Sequence, residues 1–155
     1  MTADILVIVA DRGHARLFSL TPGEEKLREL QDLLNADARV RASKLASDRQ
    51  GRGLNRARAS RAALGKASLQ DESASRFAHD VCGMIAGKLR RKNDARLFVF
   101  ADPQFLGLLR RKLRTRKLRV PVRYFAKNLT RTSSARIRSY LPKRLWPRRV
   151  LGIKL

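Results

Sequence analysis

The sequence predicts a single domain of the α/β (α+β) class. It expects a mixed sheet with three leading strands, followed by helix, strand, helix, strand and helix. Three observations carry that expectation. Two short, continuous apolar runs, Ile5 to Ala10 and Leu97 to Ala101, have the length and β-branched or aromatic content of strands buried on both faces. Between them, Phe77, Val81, Ile85 and Leu89 recur every four residues, the spacing of one helix face. A chain of 155 residues with 43% apolar content is enough for one core and no more than one domain of ordinary size.

The elements follow in order. Asp11-Arg12-Gly13 closes the first strand with turn residues, and Ala15 to Leu20 forms the second. After the Thr21-Pro22-Gly23 turn, Leu27, Leu30, Leu33 and Leu34 have spacing compatible with a helix, whereas the hairpin context favours a third antiparallel strand. Residues 35–66 lack an apolar period, hold nine Lys/Arg against Asp37 and Asp48, and contain glycines at 51, 53 and 65, which reads as a long mobile basic loop. Ser68 with Asp71 reads as the cap of the helix that carries Phe77 through Leu89, ending near Lys92. Asp102-Pro103 opens the next helix, with Asp as cap and Pro at the first helical position, and Phe105, Leu106, Leu109 and Leu113 as its apolar side. Val120 to Ala126 is the last strand, and Ser133 or Ser134 caps a short helix to Leu141, which Pro142 ends. The domain therefore spans residues 1–141, and residues 142–155 read as a basic C-terminal tail.

Charge is distributed unevenly along this order. From Pro103 to Leu155 there are 17 Lys/Arg in 53 residues and no Asp or Glu, while the first 102 residues hold 19 basic and all 13 acidic residues. Such uncompensated charge repels itself, and a polyanion neutralises it: nucleic acid first, an anionic membrane second. The expected contact residues are Arg49, Arg52, Arg56, Arg58 and Arg61 in the loop, and Arg110, Arg111, Lys112, Arg114, Arg116, Lys117 and Arg119 in the run that follows the second helix. A charge run is ordinarily a solvated face, but a balanced solvated face would include Glu, and this one does not. With 6% aromatic residues, phosphate contact is favoured over the stacking of splayed bases. Leu145-Trp146-Pro147 beside Arg148-Arg149 is the feature that would suit an anionic membrane surface.

Other chemistries find little support. Cys82 is the sole cysteine and sits on an apolar helical face, which excludes an internal disulfide and favours an inert thiol. His14 falls in a strand-linking turn and His79 on the solvent side of its helix; neither has a partner at metal-ligand spacing. Asp11, Asp48 and Asp102 form the one carboxylate set that invites a two-metal, Mg²⁺-dependent nuclease reading. Turn, loop and cap roles account for these three more simply, so no catalytic residue, metal or cofactor is expected. Gly51-Arg52-Gly53 lacks the Lys-Ser/Thr of a nucleotide loop. The apolar run at the N-terminus is too short for a signal peptide or a membrane span, which makes a cytoplasmic location the expectation.

Several local patterns stand out together: Val9-Ala10-Asp11 with Ala15-Arg16-Leu17-Phe18, Ser47-Asp48-Arg49-Gln50-Gly51-Arg52, Arg76-Phe77-Ala78, Ala101-Asp102-Pro103-Gln104-Phe105-Leu106-Gly107, and Lys127-Asn128-Leu129-Thr130. In these the chain resembles a bacterial family, the host attachment proteins, or proteins required for attachment to host cells. Within the patterns, Asp11, Asp48, Gly51, Arg52, Asp102 and Pro103 are the motif positions. The resemblance supports a third strand at residues 27–34. That family in turn is similar to the middle domain of archaeal and eukaryotic class-1 peptide release factors, which implies a ribonuclease H-like arrangement and an RNA or ribosome partner. In the release factor a Gly-Arg-Gly-Gly-Gln loop positions the hydrolytic water. Here the stretch is Gly51-Arg52-Gly53-Leu54-Asn55, with Leu54 for the second glycine and Asn55 for Gln, so peptide release is not implied. The resemblance and the charge together imply a non-enzymatic RNA-binding, ribosome-associated domain. The alternative is the role in the family's name, a factor for attachment whose partner is a host cell surface component.

Overall fold

The computed structural model describes residues 4–47, 56–92 and 94–145. Five strands, β1 (Ile5–Ala10), β2 (His14–Leu20), β3 (Arg28–Leu34), β4 (Arg96–Ala101) and β5 (Val122–Ala126), form one sheet in the order β3-β2-β1-β4-β5. Four helices accompany them: α1 (Ala36–Ser47), α2 (Arg56–Leu89), α3 (Pro103–Thr115) and α4 (Ser134–Tyr140). β1, β2 and β3 pair antiparallel, as the hairpin reading expects, while β4 and β5 join parallel to β1 through helical crossovers. The mixed single-domain α/β expectation is met, and Arg28 to Leu34 resolves as strand.

The central strand explains why the sheet needs cover on both sides. All six residues of β1 are buried, and its alternation divides them: Leu6, Ile8 and Ala10 face one core, Ile5, Val7 and Val9 the other. On the first face lie α2 and α3. The helical period is borne out there, with Phe77, Val81, Cys82, Ile85 and Leu89 of α2 packed against Phe105, Leu109 and Leu113 of α3 and the side chains of β4. Phe77 and Phe105 stack with centroids 5.8 Å apart, locking the two helices together. The second face is covered by α4 and the segment after it, through Ile137, Leu141 and Leu145, with Phe98 and Phe100 beneath.

The caps behave as the sequence suggests. Asp102 stands at φ −60°, ψ 152° and its Oδ1 accepts from the Phe105 N–H at 3.1 Å, with Pro103 first in the helix. Ser133 caps α4 by accepting from the Arg136 N–H. β5 starts at Val122 rather than Val120, because Pro121 has no N–H to give the ladder; its carbonyl accepts from the Leu97 N–H instead.

Three expectations are corrected. Residues 35–66 are not a long loop: α1 occupies 36–47, and α2 begins at Arg56, so the mobile-loop reading survives for none of the described residues there. Ser68 is consequently interior to α2 and not its cap. The reason is compositional. Ala36, Ala38, Ala42 and Ala46 in α1, and Ala57, Ala59, Ala62, Ala63 and Ala67 in α2, alternate with Arg and Lys, all strong helix formers that need no buried face. Residues 63–72 are accordingly exposed, Leu64 at 73%. Asn35 starts α1, its Oδ1 accepting from the Asp37 N–H while its Nδ2 donates to the Arg12 carbonyl and to Ser73 Oγ. Third, the tail does not begin at Pro142. Leu145 is buried in the second core and its carbonyl accepts from Arg96 Nη1 at 3.3 Å, so packing continues to that residue.

Candidate nucleic-acid interface

The basic run does not form one face. α3 turns its cations to two sides of the same helix, as 100° per residue requires. Arg110 reaches toward β5, its guanidinium carbon 5.3 Å from the centre of the Tyr124 ring. Arg111, Lys112 and, from the turn after the helix, Arg116 instead look toward α2. Arg114, Lys117 and Arg119 are exposed outside this groove.

Between α2 and α3 lies a groove of about 600 Å³, lined by Ser75 and His79 on the α2 side and Leu108, Arg111, Lys112, Thr115 and Arg116 on the other. Its walls are two rows at helical spacing: Ser75, His79 and Gly83 along α2, and Leu108, Lys112 and Arg116 along α3 and its end. The Arg116 guanidinium lies across the groove, its Nη2 donating to the His79 carbonyl at 3.5 Å. Gly83 is its neighbour on α2: a Cβ there would stand 3.8 Å from Arg116 Nη2, at ordinary van der Waals contact. The chain reverses at Lys117, which adopts φ 47°, the left-handed conformation more often taken by glycine at a helix end.

Among the described residues, the ion pairs involve Arg12, His14, Arg16, Arg76 and Lys92, all in the first two-thirds of the chain. No cation from Arg110 to Arg144 meets a carboxylate among them. The imbalance visible in the sequence is therefore a property of the folded surface as well.

Asp11 has a structural setting. Its Oδ1 accepts from the N–H groups of Gly13 and His14 at 2.8 and 2.9 Å, and its Oδ2 from Asn128 Nδ2 at 3.2 Å and Thr130 Oγ1 at 2.8 Å. Four donors occupy the acceptor sites of one carboxylate, leaving none directed at a metal. Burial works to raise its pKa, but the four hydrogen bonds together outweigh that and hold the carboxyl below the usual range. Asp102 is occupied as a cap, and among the described residues no three of His, Cys, Asp and Glu are grouped to hold an ion. Asp48, the third carboxylate of the set, lies outside the described residues.

Near Asp11, the motif stretches converge. Arg16 joins Glu29 through Nε and Nη2 and donates through Nη1 to the carbonyls of Thr130 and Thr132. Arg12 reaches Gln104 at 2.8 Å and Asp71 at 3.4 Å, and Arg76 pairs with Asp37. Residues far apart in the chain thus tie the ends of β1 and β5 to α1, α2 and α3. A smaller cleft of about 370 Å³ opens beside them, with His14, Asn35, Arg39, Thr130 and Arg131 on its walls. His14 is the first residue of β2 rather than a turn residue, and its Nε2 lies 2.5 Å from Asp32 Oδ1.

Of the expected contact residues, the structure brings Arg111, Lys112 and Arg116 into one groove and places Arg110 apart from it. Arg56, Arg58 and Arg61 fall at the start of α2, whereas Asp48, Arg49, Gly51 and Arg52 lie outside the described residues. Ser75, His79 and Thr115 were not expected at the site; only the four-residue rows on both helices hint at them. Leu145, one of the residues that would suit an anionic membrane surface, is buried in the core.

Fold and surface together define a single α/β domain whose cations from α3 onward, among the described residues, meet no carboxylate. The family described as "Protein required for attachment to host cells" matches residues 6–141, and the chain belongs to it. No curated protein matches the chain.

Proposed function

We propose that this protein is a non-enzymatic, cytoplasmic RNA-binding domain that associates with the ribosome. The observation that supports it most is the cationic surface from α3 onward, where no described carboxylate pairs with the cations and three of them converge on one groove. Structural charge is normally compensated, and charge left unpaired around a groove is suited to a ligand that brings its own phosphates. The resemblance to the release-factor middle domain, and the ribonuclease H-like arrangement it implies, favour RNA over DNA. The mixed five-stranded sheet with helical crossovers supports that arrangement. Among the described residues no helix is long and apolar enough to cross a membrane.

Purification at low and high salt, with nucleic-acid absorbance and cosedimentation with ribosomes recorded, tests this. With about six to eight phosphates neutralised, affinity falls about 10³-fold or more between 50 and 200 mM salt. Protein that is free of nucleic acid at low salt and does not sediment with ribosomes overturns the proposal. The family description favours a second reading, a factor needed for attachment to host cells, which surface localisation on intact cells would support. The two are compatible if attachment depends on altered translation.

A further inference from the structure

The groove between α2 and α3 has a more specific construction than a basic patch. One wall is cationic, from Arg111, Lys112 and Arg116; the other is neutral and hydrogen-bonding, from Ser75 and His79, with the Thr115 hydroxyl on the cationic side. Arg116 is held across it by the His79 carbonyl, next to Gly83. A volume of about 600 Å³ falls within the range of ligand clefts, about 300–1,000 Å³. Among the described residues no Phe, Tyr or Trp lines it, so charged and hydrogen-bonding groups make up most of its surface.

Resting on the RNA-binding reading above, we propose that this groove is a phosphate track: it takes consecutive phosphates of an RNA backbone, without reading base sequence. Arg111, Lys112 and Arg116 supply the charge-assisted donors, and the Ser75 hydroxyl and His79 imidazole supply further ones to the same oxygens, while the Thr115 hydroxyl is engaged by the Lys112 carbonyl at 2.7 Å. Arg116 is the anchoring group, because its guanidinium keeps further N–H donors free after the one given to His79. The remaining cations of the chain contribute a general field and no register.

The test measures the binding of a labelled RNA of about 20 nucleotides by fluorescence anisotropy over a salt series, with the fold of each variant checked by circular dichroism. Arg111→Gln and Arg116→Gln should each weaken binding about five- to tenfold and lower the salt slope by about one. Arg123→Gln and Arg136→Gln, exposed cations on the opposite face of the sheet, lose equal charge and should change affinity by less than about twofold. Gly83→Leu keeps the net charge and should match the loss of Arg116→Gln, since the added side chain occupies the guanidinium's space. Scrambled RNA sequences should bind alike. Equal losses from groove and opposite-face variants would overturn the track while leaving RNA binding intact. Failure of the unmodified protein to bind RNA at 50 mM salt would instead remove the functional reading beneath it. Groove-dependent binding of anionic vesicles but not of RNA would also overturn the proposal.

Discussion

Thr130 donates its hydroxyl to Asp11 Oδ2 at 2.8 Å, joining the loop after β5 to the end of β1 across 119 positions of chain. The same carboxylate receives two backbone N–H groups of its own turn and the Asn128 amide. A side chain open to a metal reading in the sequence is thereby a clamp between the first strand and the last.

The clamp has a pH signature. Hydrogen bonding holds the Asp11 pKa below the ordinary value despite burial, so its contribution is present above the unfolded value of about 3.9 and is lost as pH falls through the folded one. Asp11→Ala should cost about 2 kcal/mol near neutral pH, and the gap from the unmodified protein should close in acid. Urea unfolding at pH 5 and again near pH 2.5 checks this; a gap that stays constant would mean that the carboxylate charge contributes nothing.

Cys82 should be chemically silent in the folded protein. Burial raises its thiol pKa to about 11, against a smaller opposing pull from Arg116 and Lys112. At pH 8 only about one thiol in a thousand is then ionised, besides being enclosed beneath α3. Ellman's reagent should leave the native protein nearly unlabelled and titrate one thiol per chain in guanidinium; native labelling at the rate of free cysteine would contradict the burial.

Lys117 sets stability against binding. A left-handed backbone costs a side-chain-bearing residue about 1 kcal/mol relative to glycine, and Lys117 holds φ 47° beside the groove. Lys117→Gly should therefore raise the melting temperature by a few degrees while weakening RNA binding by less than about twofold, the loss expected of a cation outside the groove. Calorimetry and the anisotropy titration measure the two effects separately, and a fall in melting temperature would show that Lys117 makes compensating contacts.

Patterns of burial were legible in the sequence, and those of exposed helices were not. The β1 and β4 runs, the Phe77 to Leu89 face and the Asp102-Pro103 start all follow from local periodicity and caps, because each records which side of an element leaves water. α1 and the first half of α2 left no such trace. Their alanine-rich turns are helical by intrinsic propensity, and the absence of an apolar period suggested a loop.

The sequence by itself determined that this is one α/β domain and that its final third carries cations without carboxylates. Tertiary structure alone decided what that charge faces. The parallel order β1-β4-β5 sets α2 beside α3 on one side of the sheet, so His79 and Ser75 meet Arg111, Lys112 and Arg116 across a groove while Arg110 turns away to Tyr124. It likewise brought Asn128 and Thr130 to Asp11 and placed Leu145 in the core. Periodicity specifies which face of a segment is buried, but only the packing of segments distant in sequence selects the neighbour that face meets.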